Sequence, residues 1–142
     1  ACGEGWALYS ERLSVELGMA KTLFDELGVL QSELFRSVRL VVDTGLHYKR
    51  WTREEAMDYM KKTTGMSDAE VVSEIERYIV WPGQACSYKV GMIKILDLRE
   101  RAKDQMGDSF DIRDFHSAVL DHGEPPLFVI ENLVDDMIKE VN

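Results

Sequence analysis

The spacing of the large apolar residues constrains the fold of this chain more than any other feature of its sequence. Along most of the chain these residues recur every three or four positions, which places them on one side of an α-helix. No segment has the convincing alternation of apolar and polar residues that indicates a strand. We therefore expect an all-α fold, a multi-helix bundle in which residues 1–142 form a single helical domain or part of one.

A long stripe of apolar residues predicts a second helix that begins near Leu23 and stops around Gly45, after a first helix that ends near Gly18. Gly28 interrupts this second helix and would permit a bend or close packing. One side of the helix is expected to be buried. The residues of this stripe are Leu23, Leu27, Leu30, Leu34, Val38 and Val41.

Caps and breakers predict five further helices. The third and fourth begin with the pattern of a capping box, at Thr52 with Glu55 and at Ser67 with Glu70. Pro82 and Gly83 separate the fourth helix from a fifth that runs towards Met106. Asp111 is expected to cap a sixth helix, and Pro126 to open the seventh. The expected core positions of the fourth helix are Val71, Ile75, Tyr78 and Ile79.

Two carboxylates, Glu4 and Glu11, lie in an apolar part of the first helix. Helical spacing puts them on one stripe with Leu8 and Val15, while apolar residues also occupy the opposite side. A helix that is apolar on both sides is largely buried, and a buried carboxylate is costly unless it is neutralised, paired with a cation or bound to a metal. The alternative is a pair of partly exposed acids that the helix dipole favours.

The charge, the apolar content and the cysteines of the chain limit what it can bind. The formal net charge of −9 argues against nucleic-acid binding, which requires a basic surface. No apolar run approaches the roughly 20 residues of a membrane-spanning helix, so we expect no membrane span. The two cysteines, Cys2 and Cys86, make neither a disulfide framework nor a zinc-binding CxxC pair.

Several motifs resemble those of one bacterial family. Residues 4–11 read EGWALYSE and resemble the EGWALYxE signature of the family called domain of unknown function 885, which groups with the zincin-like metallopeptidases. Further segments follow that family's pattern in the same order, among them RLVVDTGLH at 39–47, RY at 77–78, PGQA at 82–85 and YK at 88–89. The resemblance implies that this chain is the C-terminal portion of a zincin-like helical metallopeptidase domain.

The zinc-binding helix of such peptidases is missing from this sequence. Zincins of this kind bind zinc through the two histidines of an HExxH helix, whose glutamate acts as general base. This chain has no HExxH, and no two of its three histidines are four residues apart. In the family that segment lies upstream of EGWALYxE. We therefore expect a C-terminal fragment whose partner is the missing N-terminal part of the same polypeptide, and which by itself is inactive and binds zinc weakly.

The resemblance also assigns roles to Glu4 and Glu11 of the first helix. By similarity to other zincins, Glu4 would be the third zinc ligand in the intact protein and would leave one coordination position open for water. Gly3 and Gly5 would let a neighbouring helix approach closely. Glu11 would accept a hydrogen bond from a zinc-bound histidine and so orient it, or would equally be an ordinary ion-pair acid.

Other motif residues are candidates for contact with the peptide substrate. Tyr78 would stabilise the oxyanion of the tetrahedral intermediate or be an ordinary core tyrosine, and Tyr88 competes with it for the catalytic role. His47 would donate to the substrate carbonyl, with Asp43 fixing its tautomer, or would cap or pack. Arg77 would hold a substrate carboxylate or form a salt bridge to a nearby glutamate.

The sequence therefore predicts the C-terminal fragment of a zinc-dependent peptidase, which hydrolyses peptide bonds through a metal-bound water once the polypeptide is complete. The alternative is a non-catalytic helical interaction or scaffold module that has kept the same packing residues. Exposed apolar faces left by the missing part are expected to drive self-association. The compartment stays open between the bacterial cytoplasm and an exported or periplasmic location.

Overall fold

Helices form all of the regular structure in residues 1–141, the part of the chain that the computed structural model describes. The seven α-helices are α1 (Cys2–Glu16), α2 (Leu23–His47), α3 (Arg53–Thr64), α4 (Asp68–Val80), α5 (Ser87–Met106), α6 (Ile112–Leu120) and α7 (Leu127–Val141). The prediction of an all-α multi-helix bundle is confirmed. Within the same residues, no helix has both the length and the apolar composition that crossing a membrane requires.

Side-chain caps fix where several helices begin. The predicted capping boxes at Thr52 and Ser67 are present at the starts of α3 and α4, and Asp111 caps α6. A further capping box, formed by Thr22 and Asp25, starts α2. Sequence analysis missed it because the usual pattern has Glu or Gln three residues after the cap, whereas here the shorter Asp accepts the same backbone hydrogen bond.

The helices pack around two hydrophobic cores. The first core lies between α1, α5, α6 and α7, and its largest buried side chains are Leu8, Tyr9, Met92, Ile95, Leu98, Phe115 and Ile130. The second lies between α2, α3, α4 and the 3₁₀ turn Gln84–Cys86, with Val38, Val42, Met60, Ile75 and Tyr78 buried. Helix α5 contacts both α1 and α2 and so links the two groups.

Helix α1 crosses α5 at a pair of glycines. A Cβ atom on Gly5 would lie 2.4 Å from the Cα atom of Gly91, and one on Gly91 would lie 2.2 Å from the carbonyl oxygen of Ala1. Protein atoms do not approach this closely without a bond, so the two backbones meet here only because both positions lack a side chain. This contact fixes α1, which carries Glu4 and Glu11, on α5.

The buried stripe predicted along α2 is wrong over most of its length. Val38 is buried, but the other five members of the stripe are exposed, from Val41 at 38% to Leu23 at 82%. The physical reason is length: α2 has 25 residues, whereas α3 and α4 have 12 and 13 and cover only its C-terminal part. Ile79 is also exposed, at 41%, because the buried side of α4 runs through Val71, Ile75 and Tyr78.

Candidate functional site

Glu4 and Glu11 lie on α1 as half-buried carboxylates on the same side of the helix as the buried Leu8. Within residues 1–141, neither side chain makes a hydrogen bond or an ion pair. Glu16, at the end of the same helix, differs: one of its carboxylate oxygens lies 2.7 Å from Nη2 of Arg99. Glu4 and Glu11 are therefore partly desolvated and lack a counter-charge within the described residues. Glu16, by contrast, is neutralised by Arg12 and Arg99.

The described residues do not contain a complete metal site. No group of three or more His, Cys, Asp or Glu side chains in residues 1–141 is arranged to hold a metal ion. Nε2 of His47 lies 2.9 Å from the carbonyl oxygen of Tyr78, and Nε2 of His116 lies 2.9 Å from the hydroxyl of Tyr9. The donor chemistry of Glu4 fits one oxygen ligand of a zinc ion, and any other ligands would have to come from outside these residues.

Tyr78 is buried, and its hydroxyl is already engaged. The hydroxyl donates to Oε2 of Glu74 over 2.5 Å. Burial, reinforced by this hydrogen bond, raises the pKa of Tyr78 far above its ordinary value, so the phenol stays protonated. Nη2 of Arg77 lies 2.7 Å from the same Glu74 oxygen. Arg77 thus forms the salt bridge to a nearby glutamate that was the alternative to substrate binding.

Asp43 and His47 do not form the predicted pair. Asp43 is buried, and its two carboxylate oxygens accept from the backbone N–H of Gly83, at 3.2 and 2.9 Å. This bond joins α2 to the turn that precedes α5, at a residue with a left-handed backbone (φ 81°). His47 remains helical at the end of α2 and bonds to the carbonyl oxygen of Tyr78 instead.

The residue at the centre of this region is Arg39, which sequence analysis did not select. Its side chain is 1% exposed, and Nη2 donates to Oε1 of Gln84 over 2.9 Å. Its guanidinium carbon lies 4.8 Å from the ring centroid of Tyr88 and 5.4 Å from that of Tyr78. A signal was present, since Arg39 precedes Asp43 by four residues in an otherwise apolar stretch and therefore shares its buried side.

The predicted site residues fall into two groups. Tyr78, Tyr88, Asp43, His47 and Arg77 are connected through Arg39, Gln84, Gly83 and Glu74 around the second core. Glu4 and Glu11 lie on α1 in the first group of helices, and no hydrogen bond or ion pair within residues 1–141 joins them to the others. The two groups share α5, which carries Tyr88 and packs against α1.

Several solved structures are similar to this chain, among them the following two. The first is described as "the putative lipoprotein from Colwellia psychrerythraea"; it is 56% identical, with a TM-score of 0.93, over 96% of this chain and 24% of that one. The second is described as "a putative lipoprotein of unknown function from Shewanella oneidensis"; it is 30% identical, with a TM-score of 0.84, over 92% of this chain and 24% of that one. No curated protein matches the chain.

Both matches cover almost all of this chain but only part of the solved structure. The chain spans 24% of the length of each. A family model described as "Bacterial protein of unknown function (DUF885)" matches residues 1–134. The chain therefore belongs to this bacterial family of proteins of unknown function.

Proposed function

We propose that the chain is the C-terminal part of a zinc-dependent peptidase that hydrolyses peptide bonds, and that Glu4 supplies one carboxylate ligand to the zinc ion. One observation carries the proposal: Glu4 and Glu11 are half-buried on one side of α1 with no cation or hydrogen-bond donor within residues 1–141. Partial burial of two such acids is unfavourable unless a positive charge approaches them, and a divalent cation supplies that charge.

Within this proposal each group of side chains has its own task. Glu4 would hold the metal through a carboxylate oxygen, and Glu11 would orient a neighbouring ligand by a hydrogen bond. Bound zinc would supply the Lewis acidity that activates water and polarises a peptide carbonyl. The histidine ligands and the general base would come from polypeptide outside residues 1–142, so we expect the isolated chain to bind zinc weakly and to be inactive.

The oxyanion would need a hydrogen-bond donor near the substrate carbonyl. The hydroxyl of Tyr88 makes no hydrogen bond within residues 1–141, whereas the hydroxyl of Tyr78 is held by Glu74. Tyr88 is therefore the better candidate for a donor that is ready to act. Tyr78 or His47 would first have to leave its present partner.

The test compares zinc content and peptidase activity in the full-length natural protein that contains residues 1–142. We expect the wild-type protein to hold zinc and to cleave a quenched fluorescent peptide mixture, and Glu4→Gln to lose both while its circular dichroism is unchanged. Asp104→Asn, which changes an exposed carboxylate on α5, is the matched control and should behave as wild type. A Glu4→Gln protein that keeps stoichiometric zinc would refute the proposal.

A second candidate, a helical interaction module without catalysis, is favoured by the exposed apolar residues at the end of α1 and along the first half of α2. These residues, called here the open face, are Leu17, Met19, Leu23, Phe24, Leu27, Leu30 and Leu34. We propose that polypeptide outside residues 1–142 covers the open face, because the two similar structures are about four times as long as this chain. In a scaffold, Glu4→Gln would leave the contacts of the open face intact. It would also stabilise the fold or leave its stability unchanged.

A further inference from the structure

Two arginines are exceptional among the cations of this chain. Twelve of the 17 Lys and Arg side chains have a nitrogen within 4.0 Å of a carboxylate oxygen. Of the other five, Lys21, Lys49 and Arg50 are exposed to water. Arg36 is half-buried and Arg39 is buried, and within residues 1–141 neither has an anionic partner. With 26 acidic residues in the chain, a shortage of carboxylates does not explain this.

Both guanidinium groups lie against the same aromatic ring. The guanidinium carbon of Arg36 is 4.1 Å from the ring centroid of Tyr88, and that of Arg39 is 4.8 Å from it. Phe35 lies beside both, at 5.2 and 5.6 Å. Stacking on aromatic rings stabilises each cation and holds its plane. It leaves the charge itself unneutralised, and two positive charges this close to one ring repel each other.

The two arginines differ in their free donors. Arg39 gives one hydrogen bond to Gln84, and its Nε has no partner in the part of the chain that the structure describes. Its 1% exposure keeps solutes from touching it. Arg36 is partly open to solvent and makes no hydrogen bond within residues 1–141. A free guanidinium presents a planar fork of N–H donors that matches the two oxygens of a carboxylate. The hydroxyl of Tyr88, also without a hydrogen bond in those residues, is a further donor on the ring against which Arg36 lies.

We propose that Arg36, stacked on Tyr88 and supported by the charge of Arg39, is a binding site for a carboxylate group. The net charge of −9 disfavours a dianion such as phosphate more than a singly charged carboxylate. The carboxylate belongs either to the C-terminus of a peptide or to an acidic side chain of a polypeptide, and the test separates these sources. The inference does not rest on the proposed peptidase activity, because it requires neither zinc nor turnover.

The experiment is a titration of the 142-residue chain by NMR at low salt, followed through the guanidinium N–H signals of Arg36 and through the backbone N–H signals of residues 35–40, which the Arg36 variants retain. Four probes are used: acetyl-Ala-Ala with a free carboxylate, the same dipeptide as an amide, acetyl-Ala-Glu-Ala amide, and inorganic phosphate. We expect a saturable shift with at least one of the two carboxylate probes and none with the dipeptide amide. Binding of the first identifies a C-terminal carboxylate, and binding of the third a side-chain carboxylate.

Variants decide whether Arg36 is the binding group. Arg36→Gln should weaken binding at least about tenfold, as expected when a charge-assisted bidentate contact is lost. Arg36→Lys keeps the charge without the fork and should give an intermediate affinity, which also covers the case in which the glutamine variant fails to fold. Lys49→Gln, which removes an exposed unpaired cation, is the matched control and should bind as wild type. The proposal is wrong if no carboxylate probe binds, if inorganic phosphate binds more tightly, or if the lysine variant binds as wild type.

Discussion

The two ends of α2 differ in which side chains they bury. The first part of the helix carries Leu23, Leu27 and Leu30, and these side chains are 82%, 49% and 63% exposed. The second part carries two charged residues, Arg39 and Asp43, and these are 1% and 3% exposed. Large apolar side chains at one end of the helix therefore face solvent, whereas two charged side chains at the other end lie in a core.

The difference teaches that neighbouring elements, more than the residues of a helix, decide which part is buried. Around the C-terminal part, the second core supplies packing for Val42, and the turn before α5 supplies a backbone N–H and an amide oxygen for Asp43 and Arg39. Buried polar groups are tolerated when they have such partners. Around the N-terminal part, residues 1–141 supply little cover, so the same apolar spacing stays open to solvent.

Among variants of the 142-residue chain, the largest effect is expected at the C-terminal end of α2, for Asp43→Ala. The variant loses both hydrogen bonds to the N–H of Gly83 and leaves that donor without its partner. We expect the free energy of unfolding to fall by about 3 kcal/mol, the upper end of the roughly 1.5–3 kcal/mol that a hydrogen bond to a charged group contributes. Urea denaturation followed by circular dichroism measures the change.

Asp43→Asn is the control for this prediction, because its amide oxygen still accepts one hydrogen bond from Gly83. A neighbouring thiol gives a second readout. Burial, followed by the Asp43 carboxylate, raises the pKa of Cys86 to about 11. Removing the carboxylate should lower that pKa, so the thiol should react faster with a disulfide reagent at alkaline pH. A loss of less than about 1 kcal/mol in Asp43→Ala, together with an unchanged thiol, would contradict the role given to this residue.

A smaller effect is expected from the paired truncations Val42→Ala and Leu30→Ala. Val42 is 0% exposed and packs in the second core, so its truncation should cost about 2 kcal/mol, from lost burial and the cavity that remains. Leu30 is 63% exposed, and its truncation should change stability by no more than about 0.5 kcal/mol although it removes more atoms. Equal losses in the two variants, measured by urea denaturation, would show that the ends of α2 do not differ in cover.

The elements of the fold could be predicted from the sequence because their signals are local. Capping boxes at Thr52 and Ser67 act within four residues, and so does the apolar spacing that indicates a helix. Which side of a helix other elements pack against depends on residues far away in the sequence. The apolar spacing of α2 correctly identifies Val38 as buried but gives no information on whether another element lies against Leu27, so the predicted stripe was wrong there.

The candidate site also combines features that the sequence predicts with contacts that it does not predict. Glu4 and Glu11 are half-buried and have no side-chain partner among the described residues, as expected if a metal or another cation binds there. Their roles as zinc ligand and orienting group stay predictions. The bond of Asp43 to Gly83 spans 40 positions of the sequence, and that of Arg39 to Gln84 spans 45. Contacts over such distances depend on the packed arrangement of helices, so sequence analysis assigned Asp43 to the wrong partner and overlooked Arg39.

The smallest effect on stability is expected at the open end, for Leu30→Glu in the 142-residue chain. The side chain is mostly in water, so the free energy of unfolding should change by no more than about 0.5 kcal/mol. Self-association is the sensitive readout, because large exposed apolar surfaces drive it. We expect the wild-type chain to associate in sedimentation velocity and Leu30→Glu to be monomeric. Val80→Glu, a charge at an apolar site that is 78% exposed at the end of α4, should associate as wild type.

The same substitution in the full-length natural protein distinguishes the occupants of the open face. If polypeptide outside residues 1–142 covers this face, Leu30 is buried there, and Leu30→Glu should destabilise the full-length protein by several kcal/mol, since it buries an unpaired charge. A second copy of the chain would instead make the effect depend on protein concentration. A full-length Leu30→Glu protein that is as stable as wild type at every concentration would show that the open face is free in both forms, and the proposed cover would be wrong.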